Sequence, residues 1–243
     1  MMRSLVVLPT YNEAENVLPL SRAVLAAAPE LEVLVVDDGS PDGTGALVEK
    51  EMATQPRLRL LQRGAKLGLG TAYLAGFRHG IDQGYERVLT MDCDFSHDPR
   101  YLPDLLAGMA DHDVMIGSRY VPGGGIANWP LHRRALSAFA NSYTRVLLRL
   151  AVKDCTSGYR CYARRVLEHV DPFSIRGSGY SFLEEMVWRV ERSGFAIGET
   201  PILFVDRTRG TSKINRKEIW RAAWHVLGTA FRRAPVTRIP RRD

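Results

Sequence analysis

SLVVLPTYNEAEN at residues 4 to 16, answered by LEVLVVDDGSPDGT at 31 to 44, decides the fold. Each stretch is a short, β-branched apolar run that breaks abruptly into polar residues. A buried parallel strand reads this way when it delivers a loop to the sheet edge at its carboxyl end. The apolar runs, 4–9 and 31–36, leave room between them for a helix over 13–28, and strand, helix, strand is a βαβ unit. RLRLL at 57–61, a helical pattern over 69–83, ERVLTMD at 86–92 and DVMIGS at 113–118 continue the alternation. The expected class is α/β, a mostly parallel central sheet with helices on both faces.

After Ser118 the texture changes. YVPGGGIANWP at 120–130 is a loop bearing glycine and proline, and 131–150 resumes as a helix carrying Arg133, Arg134, Arg145 and Arg149. A helix over 180–193, a strand IGETPILFV over 197–205 and an amphipathic helix over 215–231 follow, before the basic tail. No linker or internal repeat divides the chain, so residues 1–214 are expected to form one catalytic-sized domain and 215–243 an appended helix and tail.

The 243 residues are 45% hydrophobic and 25% charged, which excludes a disordered, collagenous or disulfide-scaffolded chain. Cys93, Cys155 and Cys161 form no metal-ligand or CxxC cluster and are expected to be buried free thiols. No apolar run approaches the roughly 20 residues of a spanning helix, and the start turns polar too soon for a signal peptide. The expectation is an intracellular chain that does not itself span a membrane. The net charge of +6 is unevenly spread: residues 207–243 hold 11 Lys/Arg against Glu218 and Asp243, a net of +9, leaving the rest at minus three. A basic end on a nearly neutral body points to an anionic partner, whether phosphate, lipid headgroup or nucleic acid.

Three predicted strands end in polar residues at what the fold would make a single edge: Pro9 to Glu13, Asp37 to Thr44, and Asp92-Cys93-Asp94. Thr10, Asn12 or Thr44 alone would be an ordinary helix cap. Asp92 and Asp94, two apart at a strand end, can turn both carboxylates to one side and offer oxygen to a hard divalent cation. Such a cation is completed by a nucleotide's phosphates. His97, close by, reads as a supporting residue and not a catalytic one.

Beyond this point the motifs carry more. PTYNE at 9–13, DDGSPDGT at 37–44, KLGLGTAY at 66–73, DCDFSHDP at 92–99 and GSRYVPGGG at 117–125 resemble family 2 glycosyltransferases of the GT-A fold. DCTSGYRCY at 154–162 and FVDRTRGTSKI at 204–214 are similar to the polyprenol (dolichol) phosphate mannosyltransferases within that family, so the resemblance covers most of residues 4–214. It implies a GT-A, Rossmann-like nucleotide-sugar transferase fold and transfer of mannose from GDP-mannose to a polyprenyl phosphate with inversion. Pro9, Tyr11, Glu13, Asp37, Asp42 and Lys66 would hold the nucleoside. Asp92 and Asp94, with Ser96 at the third position, would bind Mg2+ or Mn2+. Arg119, Arg207 and Lys213, with Asp94, would act on the donor diphosphate, and Arg133, Arg134 and Ser137 would meet the acceptor. The resemblance is to short members that attach peripherally to the cytoplasmic face of a membrane or use a separate membrane-spanning subunit, and the amphipathic helix and basic tail of residues 215–243 are expected to make that peripheral, salt-sensitive contact.

Elementary chemistry agrees with a phosphate acceptor. A phosphate monoester has a second pKa of about 6, so it is already mostly ionised at pH 7 and needs cations to position it, not a base to deprotonate it. Other readings stay open at this level. The donor could be a UDP-sugar, because the nucleoside motifs do not separate guanine from uracil. A non-catalytic module holding nucleic acid is the remaining alternative, against which stands the lack of any nucleic-acid motif with interleaved aromatics. The arginines of 131–150 could be a solvated face. Trp129, Trp220 and Trp224 are expected in the core, the alternative for the i,i+4 pair Trp220 and Trp224 being a lipid interface.

Overall fold

A computed structural model describes residues 2–175, 177, 179–206, 216–232, 234 and 239; for Tyr180 and residues 216–219 it describes the backbone alone. In chain order the elements are β1 (Ser4–Thr10), α1 (Val17–Ala27), β2 (Leu31–Asp37), α2 (Thr44–Met52), β3 (Leu58–Gln62), α3 (Leu69–Asp82), β4 (Arg87–Thr90), α4 (Leu102–Gly108) and β5 (Val114–Ser118). There follow β6 (Gly125–Ala127), α5 (Leu131–Leu148), β7 (Arg160–Ala163), α6 (Arg164–Val170), α7 (Tyr180–Ser193), β8 (Ile197–Pro201), β9 (Leu203–Val205) and α8 (Arg216–Ala230). Among the described residues seven strands form one sheet in the order β3-β2-β1-β4-β7-β5-β8, parallel except for β7, which runs antiparallel to both β4 and β5.

The continuous apolar runs are explained by burial on both faces. Side chains alternate along β1, so Leu5 and Val7 join Tyr73 and Phe77 of α3 on one side. Val6 and Leu8 join Leu20 and Val24 of α1 on the other. Each such side chain contributes about 1.5–3 kcal/mol by leaving water. α3 lies unusually close to the sheet because Gly76 and Gly80 face it. A Cβ on Gly76 would come within 2.4 Å of Val7, and one on Gly80 within 2.5 Å of Val88.

Several expectations are corrected. Residues 13–16 are a turn and not the first turn of a helix: the Asn16 N–H donates to the Glu13 carbonyl at 3.0 Å, and α1 begins at Val17. The strand expected over 197–205 is two strands. Ile202 turns inward, donating its N–H to the Ser118 carbonyl and accepting from Gly125, so β9 leaves the main sheet and pairs with β6. β7 and the helices α2, α4 and α6 have no counterpart in the sequence reading. Trp220 and Trp224 are exposed, not in the core, and Trp129 is half-buried. The three cysteines are free and buried, as expected. Residues 207–215 and most of the tail lie outside the described residues.

Candidate active site

β2, β1 and β4 are neighbouring parallel strands, with Thr10 opposite Asp37 and Val7 opposite Thr90, so the three polar strand ends do share one edge. Asp37 is fully buried there. Its Oδ1 accepts from Thr10 Oγ1 (2.9 Å) and Ser40 Oγ (2.5 Å), and its Oδ2 accepts from the Ser40 N–H (2.9 Å). Asp42 accepts from the Thr44 N–H (3.0 Å) and hydroxyl (2.6 Å) and, across the gap, from the Ala14 N–H (3.0 Å). Burial works to raise the Asp42 carboxyl, but the hydrogen bonds from Thr44 and Ala14 outweigh it and hold it below the ordinary carboxylate value. The Glu13 N–H donates to Thr44 Oγ1 (3.0 Å), and the Glu13 carboxylate accepts from Asn16 Nδ2 (2.9 Å). Asp37, Asp42 and Glu13 therefore join the loop after β1, which starts past the half-buried Pro9, to the loop after β2.

Lys66 Nζ sits 4.3 Å from the centre of the Tyr11 ring, a cation over an aromatic face. The loop that carries Lys66 is held by a residue the sequence reading left unassigned. Asp38 Oδ2 accepts from the Leu67 and Gly68 N–H groups, each at 3.0 Å, while its Oδ1 pairs with Arg63. Its signal was the second acid of DDGS, directly after the strand.

Asp92 and Asp94 follow β4. Asp92 Oδ1 accepts from the Tyr73 hydroxyl of α3 at 3.0 Å. Burial, and then the neighbouring Asp92 charge, push that phenol well above its usual range, so it stays a donor. The Asp92 N–H donates to His97 Nδ1 at 3.1 Å, which places the imidazole proton on Nε2. Burial lowers the His97 pKa, in keeping with a neutral ring. Asp94 is 5% exposed, and its Oδ1 accepts from the Ser96 N–H (3.0 Å) and hydroxyl (2.5 Å). Ser96 thus stands against Asp94 as its donor. Among the described residues no group of three His, Cys, Asp or Glu side chains could hold a metal by itself. Two adjacent carboxylates, one of them one-third exposed, fit a hard divalent cation that takes its remaining oxygens from phosphates and water.

Arg119 is tied down: Nε donates to Asp154 Oδ2 and Nη2 to Asp154 Oδ1, both at 2.8 Å, with Thr156 Oγ1 2.7 Å from Nη2. Asp154, to which the sequence assigns no role although it opens the DCTSGYR stretch, also accepts from the Arg119 and Ser157 N–H groups, each at 3.0 Å. Arg133 of α5 donates to Asp206 (2.8 Å) and lies 4.0 Å over the Trp129 ring, while Ser137 Oγ meets the Tyr120 hydroxyl at 2.9 Å; Arg134 is exposed. A run of aromatic contacts joins this region to the acidic pair. The His97 ring is 5.4 Å from Phe204, and Phe204 is 5.3 Å from Trp129, on which Arg133 rests. Arg207 and Lys213 lie outside the described residues.

The profile of Glycosyl transferase family 2 matches residues 5–171. The chain is 45% identical over 232 residues to the polyprenol monophosphomannose synthase of Mycolicibacterium smegmatis, covering 95% of this chain and 88% of that protein. It is 46% identical over 215 residues to the undecaprenyl-phosphate mannosyltransferase of Micrococcus luteus, covering 88% of each. In structure it resembles glucosyl-3-phosphoglycerate synthase from Mycobacterium tuberculosis, solved with Mn2+, UDP and glucosyl-3-phosphoglycerate. The TM-score is 0.65 at 18% identity, over 97% of this chain and 81% of that one. A mannosyltransferase from Pyrobaculum calidifontis, solved with GDP-Man and Mn2+, superposes with a TM-score of 0.56 at 18% identity, over 94% of this chain and 72% of that one. The fold is that of the GT-A enzymes, and the chain belongs to glycosyl transferase family 2 and is a glycosyltransferase.

Proposed function

We propose that this enzyme transfers mannose from GDP-mannose to a polyprenyl phosphate at the cytoplasmic face of a membrane, with inversion at the anomeric carbon. The observation that carries the reading is the aromatic run from His97 through Phe204 and Trp129 to Arg133. It sets an acidic, metal-suited pair and a cationic helix at the two ends of one short path. The names of the two relatives, both acting on polyprenol-type phosphates with mannose, support the acceptor and the sugar.

In this reading Pro9, Tyr11, Glu13, Asp37, Asp42 and Lys66 frame the nucleoside. Asp92 and Asp94, with Ser96 beside them, hold Mg2+ or Mn2+; such an ion, when bound, neutralises charge that develops on the departing diphosphate. Tyr73 and His97 fix the side chain and backbone of Asp92. Arg119 aligns the loop after β5, and Arg207 and Lys213 supply further positive charge to the phosphates. Arg133, Arg134 and Ser137 orient the acceptor phosphate, whose ionised oxygen attacks the anomeric carbon from the face opposite the diphosphate. No general base is required, because the nucleophile carries no proton that must be removed at pH 7.

The test is incorporation of radiolabelled sugar into an organic-extractable lipid by purified protein with a polyprenyl phosphate and Mg2+. GDP-mannose and UDP-glucose are run in parallel, and Asp94→Asn serves as the control. Metal-dependent label from GDP-mannose alone is expected, with a β-linked mannosyl phosphate by NMR. Label from UDP-glucose alone would replace the donor, and an α-linked product would overturn the inversion. No lipid product from either donor would overturn the reaction.

A further inference from the structure

Arg119 and Arg133 are held by carboxylates in opposite ways. Arg119 makes a buried two-point pair with Asp154. Arg133 makes one hydrogen bond, Nη1 to Asp206 Oδ2 at 2.8 Å, and the two side chains are 30% and 27% exposed. The first pair is a fixture, because breaking it would leave buried charge uncompensated. The second stands at the solvent edge, where an ion pair is worth little and is exchanged at little cost. The Arg133 guanidinium has another hold besides Asp206. It lies 4.0 Å over the Trp129 ring, and Phe204 packs edge-on against that ring with the centres 5.3 Å apart.

The fold brings Asp206 to this spot. β6 and β9 pair in parallel with Ala127 opposite Val205, so Trp129 and Asp206 lie just beyond the same end of one two-stranded ribbon. α5 starts there, and its first turn has no acid and no capping side-chain hydrogen bond. The positive end of an 18-residue helix, with Arg133 in that turn, attracts an anion. In the structure that anion is the Asp206 carboxylate. It leaves one donor unmet: Trp129 Nε1–H is buried and finds no acceptor among the described residues. An unmet buried donor beside a cation favours a group with more oxygens to offer than a carboxylate.

We infer that Asp206 is a stand-in for the acceptor phosphate: its carboxylate holds Arg133 between turnovers and is displaced when a phosphate monoester arrives. This rests on the proposed function for the assignment of Arg133 to the acceptor. The consequence depends on charge. During transfer an acceptor oxygen bonds to the anomeric carbon as the bond from that carbon to the diphosphate breaks. A monoester carrying a charge of about −1.5 to −2 at pH 7 thereby becomes a singly charged diester. The negative charge it gives up leaves with the nucleoside diphosphate. A competing carboxylate lowers the affinity of every anion for Arg133 by the fraction of time that Arg133 is open. The dianionic acceptor binds in spite of this, and the singly charged product is let go.

The experiment is isothermal titration calorimetry of the full chain with geranyl phosphate and with its methyl diester, at fixed ionic strength and without sugar donor. Wild type is expected to bind the monoester more tightly than the diester. Asp206→Asn should tighten both ligands by about three- to tenfold, and Asp206→Ala at least as far. Arg133→Gln should weaken the monoester by about tenfold or more. Adding Asp206→Asn to Arg133→Gln should recover about twofold at most, because the stand-in acts only through Arg133. Asp111→Asn alters an exposed acid just before β5, at the opposite edge of the sheet, and should bind as wild type does. Unchanged or weaker binding by both Asp206 variants, with unchanged circular dichroism, would overturn the stand-in. So would tightening that persists in the Arg133→Gln background or that Asp111→Asn reproduces, since either would reduce the effect to net charge. Lipid product in the transfer assay alongside such a result would leave the proposed reaction intact. The expected binding pattern in a protein that transfers no sugar to lipid would instead sink the reaction and leave the stand-in at Arg133 standing.

Discussion

Arg119 and Asp154 meet in a two-point pair, Nε to Oδ2 and Nη2 to Oδ1 at 2.8 Å each, with the arginine side chain 8% exposed and the aspartate fully buried. The pair joins the loop after β5 to the loop before β7, the two segments on either side of the candidate acceptor helix. Burial works to raise the Asp154 carboxyl, but the Arg119 charge and its hydrogen bonds outweigh that and hold it below the ordinary value. Stability from this pair is therefore complete above the unfolded-chain carboxyl value of about 4 and is lost as the pH falls through the native value.

Asp154→Asn removes the carboxylate charge that pairs with the buried Arg119 guanidinium, for which the expected loss is about 3–5 kcal/mol at pH 7. Urea unfolding from pH 7 down to pH 3 checks it. The gap between wild type and variant should narrow at the acid end, and a gap independent of pH would remove the ion pair as its cause.

Much of this fold was legible, for identifiable reasons. Runs such as Leu5 to Leu8 are apolar on both faces, so alternation says nothing, yet their length and the polar break after them mark strands that end at a ligand edge. Asp92 and Asp94 were legible because the strand and the acids are contiguous. Asp154 was not, because its meaning depends on Arg119, 35 residues earlier, and on an antiparallel β7 that interrupts an otherwise regular βα alternation. The split at Ile202 is invisible in a run that stays apolar across it. Trp220 and Trp224 show a general limit: a spacing of four places two side chains on one helix face but does not say whether that face meets protein or solvent.

Tyr73→Phe removes one hydroxyl from a buried ring and leaves Asp92 Oδ1 without its donor. Residues that orient metal-binding carboxylates typically affect metal affinity or activity by about 10–100-fold. The expected result is a rise of about tenfold in the Mn2+ concentration that gives half-maximal transfer, with the KM for the acceptor unchanged. Titration of free Mn2+ by electron paramagnetic resonance gives a readout independent of turnover. An unaltered metal requirement would mean that the phenol does not orient Asp92.

Gly76→Ala tests the close seat of α3 on the sheet. The new methyl would stand 2.4 Å from Val7 Cγ1 and 2.7 Å from its Cγ2, and a β-branched side chain inside a parallel strand has little freedom to rotate away. The gain in helix propensity of about 1 kcal/mol is opposed by overpacking of about 1–3 kcal/mol. A net loss is expected, read as a lower urea midpoint with an unchanged slope. A stabilised variant would show that α3 can lift from β1 at little cost.

Glu184 of α7 is buried beside α5 with one oxygen receiving the Thr144 hydroxyl and the other, Oε2, without a hydrogen-bond partner. Burial pushes its carboxyl up to about 7, against the opposing influence of the Thr144 hydrogen bond and the Arg160 charge. The native state therefore keeps the proton over a range in which the unfolded chain has released it. With a native value above the unfolded one, stability is highest below about pH 4.5, falls as the pH rises toward 7, and is level beyond. The full penalty is on the order of 3 kcal/mol, each pH unit of difference being worth about 1.4 kcal/mol. Glu184→Gln keeps the acceptor for Thr144 and never ionises. It should match wild type near pH 5 and exceed it by about 2–3 kcal/mol at pH 8, measured by urea unfolding at both. Equal stability of the two proteins at pH 8 would mean that the native fold hydrates or pairs this carboxylate when it is charged.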